Sequence, residues 1–592
     1  MHWNKVLFYV LCAVKFSDLA IAGVSAHTNK VFDVSLKEDN SIRLYWQLDY
    51  SSETVTFEVH IPAGYGWFAL GFSDRGDPFP ADYCVLWENV NGIVSFDDAY
   101  ADNRGVLHLD KQQDCRKFKI KTSSNFVKYT YRRKFDTCDN NDYVVEDGTT
   151  HIVWSRGKHK LYQLNGLNVS SSTQDIGMVR VHLLKNTHVE AALPKYVRNL
   201  DIVTNKVKVP NVETTYWCHV FKLPDEFSKK HHIYQYESHI QDNSRGVVHH
   251  MEVFHCETGT KEEIPLYIGD CFAKDRPPKT QVCKRVLAAW AMGAPPFTYP
   301  EEASLPIGGE NFNPYIMLEI HYNNPELRSD IVDSSGIRFH VSSKLKKMDA
   351  GVIELGLEYT DKMAIPPGQE QFRLTGYCTS VCTSMGLPSE GITIFGSQLH
   401  THLTGARVVT RHFDAYGKEL PELNRDNHYS THFQEIRRLK KPVKVLPGHV
   451  LITRCDYNTE DRPNITMGGF SISDEMCVNY IHYFPHTELE VCKSSISDQA
   501  LKTYFQYMNE WEGQSTSPSK GVSDNYKAIQ WNKIRVQLLQ EVYQEALLSM
   551  QCNMSSGDRF PGYWENAQIP PVLLPLPPPV RKCEHIAQND YL

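Results

Sequence analysis

The sequence predicts a predominantly all-β chain, built of successive sandwich modules and closed by a partly helical region. Three observations predict this. Residues 42–46 and 55–59 alternate apolar and polar side chains, the period of a half-buried strand, with Gly64, Gly66 and Asp74-Arg75-Gly76 as turn chemistry between such runs. Short strands at that spacing suggest a β-sandwich. The style recurs far downstream, where 392–399 leads into His400, and at 592 residues the chain is long enough for several domains. A helical period emerges only after about residue 500, at 532–550, where Ile534, Val536, Leu538, Leu539, Val542 and Leu547 roughly follow it.

Residues 1–5 carry positive charge and 6–14 form a short apolar run, interrupted by Lys15 and Asp18. This reads as an export signal ending near Ala26. A bilayer-spanning helix needs about 20 predominantly apolar residues, so membrane association is expected only if the signal stays uncleaved as an anchor through Ile21. The net charge is −8, from 62 basic and 70 acidic side chains interleaved along the chain. Such a balance has neither a basic nucleic-acid patch nor an acidic tail, and nucleic acid is excluded as a partner class. Asn168, Asn464 and Asn553 open Asn-x-Ser/Thr triplets, candidate glycosylation sites. Of 15 cysteines, Cys12 lies in the signal, which leaves an even 14. With export, structural disulfides are expected, rather than a zinc site at Cys378 and Cys382.

The chemistry-bearing residues are histidines. In a strand alternate side chains share a face, so His400 and His402 aim two imidazoles at one point while Thr401 faces away. Imidazole suits several metals, whereas the thioether of Met476 is a soft donor that favours Cu(I). His249-His250 and His321 supply three more imidazoles. Adjacent strand residues face opposite ways, so His249 and His250 reach one metal only through a local twist or a bulge. Met476 and Tyr480 are four apart and share a face.

These stretches, 249–254, 317–322, 400–405, 468–470 and 475–480, together with Ala81-Asp82-Tyr83-Cys84-Val85-Leu86-Trp87, closely resemble the copper type II, ascorbate-dependent monooxygenases. The resemblance runs from about Ala81 to about Cys552 and includes the members that hydroxylate phenylethylamines. It implies a DOMON-like β-sandwich at 27–165, matched by 135–138 and 145–150, then two antiparallel β-sandwich copper domains. The first, at 190–350, carries an all-histidine copper at His249, His250 and His321 for electron transfer. The second, at 351–500, carries the oxygen-binding copper at His400, His402 and Met476. A helical and Pro-rich region occupies 501–592, with an extended polyproline segment at 569–580. Tyr480 and Tyr216 match family tyrosines beside the oxygen-binding and all-histidine coppers. Trp67 and Trp87 are expected in the core of the first module rather than around a haem or sugar.

The same resemblance implies six bridges: Cys218–Cys271, Cys256–Cys283, Cys378–Cys492, Cys382–Cys552, Cys455–Cys477 and Cys138–Cys583. Cys84 and Cys115 are left over in one small exported module, and are expected to bond to each other if their strands pair or the bend before Arg116 brings them close. Residues 511–520 lack the cysteine pair that vertebrate members use for covalent dimers, so a homodimer, if one forms, is expected to be non-covalent. The implied cofactors are two copper ions per chain, with ascorbate as electron donor and O2 as co-substrate. The implied reaction is hydroxylation of a phenylethylamine β-carbon in the secretory pathway, in a secretory or synaptic vesicle lumen or outside the cell.

Residues 82–84, 112–115 and 135–138 look closer to the invertebrate members, which points to tyramine and octopamine, with dopamine to noradrenaline as the alternative. A related monooxygenase of another substrate, such as a glycine-extended peptide, is the runner-up within the class. Two non-enzyme readings use the same residues: a copper or amine carrier, and an adhesion ectodomain with incidental histidines.

Overall fold

The computed structural model describes residues 31–37, 39–185, 192–292, 294–471, 473–577 and 583. The export-signal reading at 1–26 lies outside them, as does the end of the Pro-rich stretch beyond 577. Among the described residues no helix is long and apolar enough to cross a membrane.

Three β-sandwiches follow one another. In the first, a five-stranded sheet (order Phe32–Ser35, Arg43–Asp49, Thr54–Pro62, Phe126–Lys134, Arg116–Thr122) packs on a six-stranded one built around Trp67–Ser73, Ala81–Glu88 and Thr149–Gly157. Thr54–Pro62 alternates buried and half-buried residues along its length, as its apolar alternation requires. The module extends past the 165 boundary, because Asp175–His182 pairs with Thr149–Gly157 and Leu183 and Leu184 belong to its core. Trp67 is buried in a core cluster, and its cross-strand partner Trp87 donates its indole N–H to Asp97 at 2.6 Å. Cys84 and Cys115 are bonded with Cα atoms 6.0 Å apart. Their strands do not pair: Ala81–Glu88 lies in the six-stranded sheet and Arg116–Thr122 in the five-stranded one, so the bridge ties the two layers together.

The second module sets a five-stranded sheet (order Ile268–Asp270, Thr214–Lys222, Tyr315–Asn323, Val248–Cys256, Cys283–Ala291) against a six-stranded one around His231–His239 and Gly336–Ser342. In the third, a six-stranded sheet contains Ile392–His400, Val478–Phe484 and Gly351–Leu357 as neighbours and faces a four-stranded sheet. The core of the second module continues into the third, since Phe395 and Ile436 belong to the same buried cluster as Phe297 and Trp290. The six further disulfides join the pairs named above.

The helical region differs from the sequence expectation. Helix Lys533–Glu545 ends well short of 550, and Leu548–Met554 is a strand that completes the six-stranded sheet beside Leu489–Ile496. Two helices precede it, Asp498–Glu510 and Val522–Ala528. The first is capped by Ser497 and buries Leu501, Tyr504, Phe505 and Met508, a helical stripe. The helices cover the third module's apolar surface, as Leu539, Tyr526 and Phe505 share a core with Phe372 and Leu374. The Pro-rich stretch is extended, with Leu573 donating its N–H to the Gly417 carbonyl at 2.9 Å. Of the glycosylation triplets, Asn464 is exposed, Asn168 caps a short helix through its side chain, and Asn553 is half-buried on a strand.

Candidate metal centres

The first centre rests on three neighbouring strands. Tyr315–Asn323 lies between Thr214–Lys222 and Val248–Cys256, and its register places Tyr216 and His250 on either side of His321. The pairing shifts between Val248 and His250, a bulge in which His249 is the extra residue. That local distortion turns both adjacent imidazoles toward one point. Their Nδ1 atoms converge, His249 to His250 at 3.1 Å and His321 to His250 at 3.2 Å. Burial, then repulsion from the neighbouring rings, lowers His249 to about 3 and His321 to about 4, with His250 also well below the usual range. Three neutral imidazoles with Nδ1 atoms this close cannot satisfy one another by donation alone, and a shared cation fits them. Tyr216 stacks on His321 with ring centroids 4.5 Å apart and planes 3° from parallel.

The second centre lies in the third module. Ile392–His400 pairs with Val478–Phe484 so that His400 is opposite Val478, which puts Met476 two residues before that pair. His400 Nδ1 meets the Gln434 side-chain oxygen at 2.5 Å and His402 Nδ1 meets the Asp474 carbonyl at 3.0 Å. Both acceptors lack a proton, so each ring donates from Nδ1 and keeps Nε2 unprotonated for a metal. Burial lowers His400 to about 3 and also lowers His402, so proton competition for these nitrogens is weak. Met476 is buried, its backbone carbonyl accepting from the Tyr457 hydroxyl at 2.7 Å. Two imidazoles beside a buried thioether form a donor set suited to Cu(I).

Tyr480 lies with its ring centroid 6.0 Å from that of His400. Its hydroxyl is 3.4 Å from that of Tyr359, which donates to Glu354 at 3.1 Å, and Lys493 pairs with Glu354. The residues that sequence reasoning missed are the supporting ones. Glu475 is fully buried and accepts from the Thr404 N–H at 2.6 Å, the Thr404 hydroxyl at 2.7 Å, the His402 N–H at 2.9 Å and the Met476 N–H at 3.1 Å. Its only sequence signal is a charged residue directly before a candidate ligand. Gln434 and Asp474 act from connections in which no periodicity marks them.

Fold and site together define a β-sandwich protein with two dissimilar histidine clusters, candidate metal centres, one all-imidazole and one near a buried methionine. Family models for the N-terminal and C-terminal domains of copper type II ascorbate-dependent monooxygenases match residues 200–329 and 348–505, and a DOMON domain model matches 38–157. The chain is 44% identical over 554 residues to dopamine beta-hydroxylase of Bos taurus, covering 93% of this chain and 90% of that protein. It is 37% identical over 571 residues to tyramine beta-hydroxylase of Caenorhabditis briggsae, covering 94% and 91% respectively. It is also 33% identical over 505 residues to DBH-like monooxygenase protein 1 of Homo sapiens, covering 83% and 81%. The chain belongs to the copper type II, ascorbate-dependent monooxygenases, and it is an enzyme that uses copper, ascorbate and O2.

Proposed function

We propose that this enzyme hydroxylates the β-carbon of a phenylethylamine, with His249, His250 and His321 holding the electron-transfer copper and His400, His402 and Met476 the oxygen-binding one. The observation that carries the reading is the pair of unlike donor sets, each half-buried to buried and each with its imidazoles held neutral. When bound, copper supplies the one-electron chemistry and O2 activation that no side chain provides. The protein's own part is to hold and orient. Gln434 and the Asp474 carbonyl fix the rings of His400 and His402, and Glu475 ties down the amides of His402, Thr404 and Met476. Tyr216 keeps the His321 ring in its plane by stacking. Tyr480 stands at the edge of the second centre with its hydroxyl joined to the chain Tyr359, Glu354 and Lys493, and is placed to hydrogen-bond a reacting group.

The substrate we assign is tyramine, on the first-module residues 82–84, 112–115 and 135–138. Dopamine is the alternative, since the chain is 44% identical to the bovine dopamine enzyme and 37% to the nematode tyramine enzyme. The two amines differ by one ring hydroxyl, which a tolerant pocket discriminates by about a hundredfold or less. Comparison of kcat/KM for both amines on the copper-loaded enzyme, with ascorbate and O2, tests the proposal. Absence of β-hydroxylated product from either amine would overturn it. Seven disulfides agree with an oxidising compartment, and we place the enzyme in the secretory pathway.

A further inference from the structure

We propose that residues 426–437, the connection between strands Glu419–Asp426 and Arg437–Val445, are a positioning element that holds the two histidine centres at a set separation, with His432 as its crossing contact. The inference rests on the assignment of the two centres above.

Connections ordinarily run over the surface, because a buried loop carries backbone groups that are hard to satisfy. Much of this one is buried: Tyr429, Phe433, Glu435 and Ile436 are each less than 9% exposed, while His432 itself is exposed. Ile436 belongs to the core of the second module and Tyr429 to a core of the third. Its polar groups go to the centres. The Tyr429 hydroxyl accepts from the Thr401 N–H at 2.9 Å, the Thr431 hydroxyl donates to the His402 carbonyl, and Gln434 holds His400. Between them His432 points the other way, edge to face with His249 of the second module, ring centroids 5.3 Å apart. Within six residues one segment therefore touches His400, Thr401 and His402 on one side and His249 on the other.

The first module grips both ends of the same segment. Asp426 accepts from the Thr149 N–H at 3.0 Å and the Thr149 hydroxyl at 2.7 Å, while Arg437 pairs with Asp426 at 2.9 Å and donates to the Thr149 hydroxyl at 3.0 Å. Asn427 donates to Glu146 at 2.5 Å, and His428 lies 3.4 Å from Asp74. Modules within one chain move relative to one another unless something ties them. The reaction needs one electron to pass from the all-histidine centre to the other, with ascorbate restoring it, and electron transfer weakens steeply with distance. A strut anchored in both cores and clamped by the N-terminal module gives that module a part in electron delivery without any ligand of its own.

The test uses the full chain and two variants. His432→Ala removes the crossing contact, and Thr149→Val removes the clamp's hydroxyl, which contacts Asp426 and Arg437 and belongs to neither donor set, at nearly constant volume. In the copper-free protein, amide exchange of residues 427–436 is expected to quicken at least tenfold in His432→Ala and less in Thr149→Val. In the copper-loaded protein, both variants are expected to keep two coppers per chain and parent Cu(II) EPR parameters. Single-turnover electron transfer between centres is expected to slow at least tenfold in His432→Ala, with partial recovery in His432→Phe, which restores a ring. Parent exchange and parent electron-transfer rates in both variants would overturn the inference. So would loss of one copper from His432→Ala, which would make His432 a ligand instead. If the parent itself binds no second copper or hydroxylates no phenylethylamine, the functional assignment fails, while the copper-free exchange still reads the strut.

Discussion

Replacing Glu475 by Gln changes almost no volume and removes one acceptor oxygen from the support of the second centre. The carboxylate serves four donors, two on each oxygen, at 2.6–3.1 Å. With an amide, two of the four donors face an N–H instead of an oxygen. Hydrogen bonds to a charged acceptor contribute about 1.5–3 kcal/mol each, so about 3–6 kcal/mol of local support is lost. Burial opposes these bonds and pushes the Glu475 carboxyl up from 4.5 to about 7. That net shift already includes the four bonds, so at pH 8 the charged form disfavours folding even with its donors in place, and loss of the charge offsets the lost bonds: the fold as a whole is expected to change little. The centre suffers more specifically, because the abandoned donors are the amides of His402 and Met476 or the groups of Thr404. Supporting contacts of this kind are typically worth about 10–100-fold in metal affinity. Competition titration with Cu(I) at pH 8 on Glu475→Gln should show that loss at one site and none at the other. Parent affinity at both sites would refute the reasoning.

Met476→Ala removes the sulfur donor; it should weaken Cu(I) binding at one site and abolish hydroxylation while the other copper stays, as metal analysis after dialysis and turnover would read. Full turnover would contradict the assignment. Glu490 is pushed up from 4.5 to about 7 by burial, against the pull of Arg285 at 3.5 Å. Its folded value lies above its unfolded one, so its stabilising contribution is complete below about pH 4.5 and is lost as pH rises through about 7, a change of about 3 kcal/mol. The stability difference between Glu490→Gln and the parent, from denaturant unfolding of the copper-free protein, should be flat at low pH and shift in favour of the variant toward pH 8. A difference that ignores pH would refute it. Replacing Cys84 and Cys115 together by Ser opens a 31-residue separation and should destabilise the first module by about 3–4 kcal/mol in the chain-entropy model. Denaturant unfolding followed by tryptophan fluorescence measures this, and an unchanged midpoint would show that the layers hold without the bridge.

Local rules were enough for much of this protein. Alternation marked the strands of the first module, and the two-residue spacing of His400 and His402 put both imidazoles on one face before any tertiary contact was known. Helix Asp498–Glu510 went unread in the sequence, although Ser497 caps it and Leu501, Tyr504, Phe505 and Met508 stand at helical spacing. Leu548 to Met550 show the limit of periodicity. Their apolar pattern continues that of the preceding helix, and only the vacant edge beside Leu489–Ile496 makes them a strand.

What the sequence determined by itself is donor chemistry: which residues can bind a metal, and which softness of metal they prefer. The tertiary structure decided everything that depends on residues distant in sequence meeting. The bulge at His249 exists because Val248–Cys256 must pair with Tyr315–Asn323 out of step, and that mismatch brings two adjacent histidines to one point. Glu475, Gln434 and His432 carry no pattern, because their roles come from reaching a neighbour in another strand or another module. A short-range period cannot encode such a contact; the closing of three sandwiches on one another makes it.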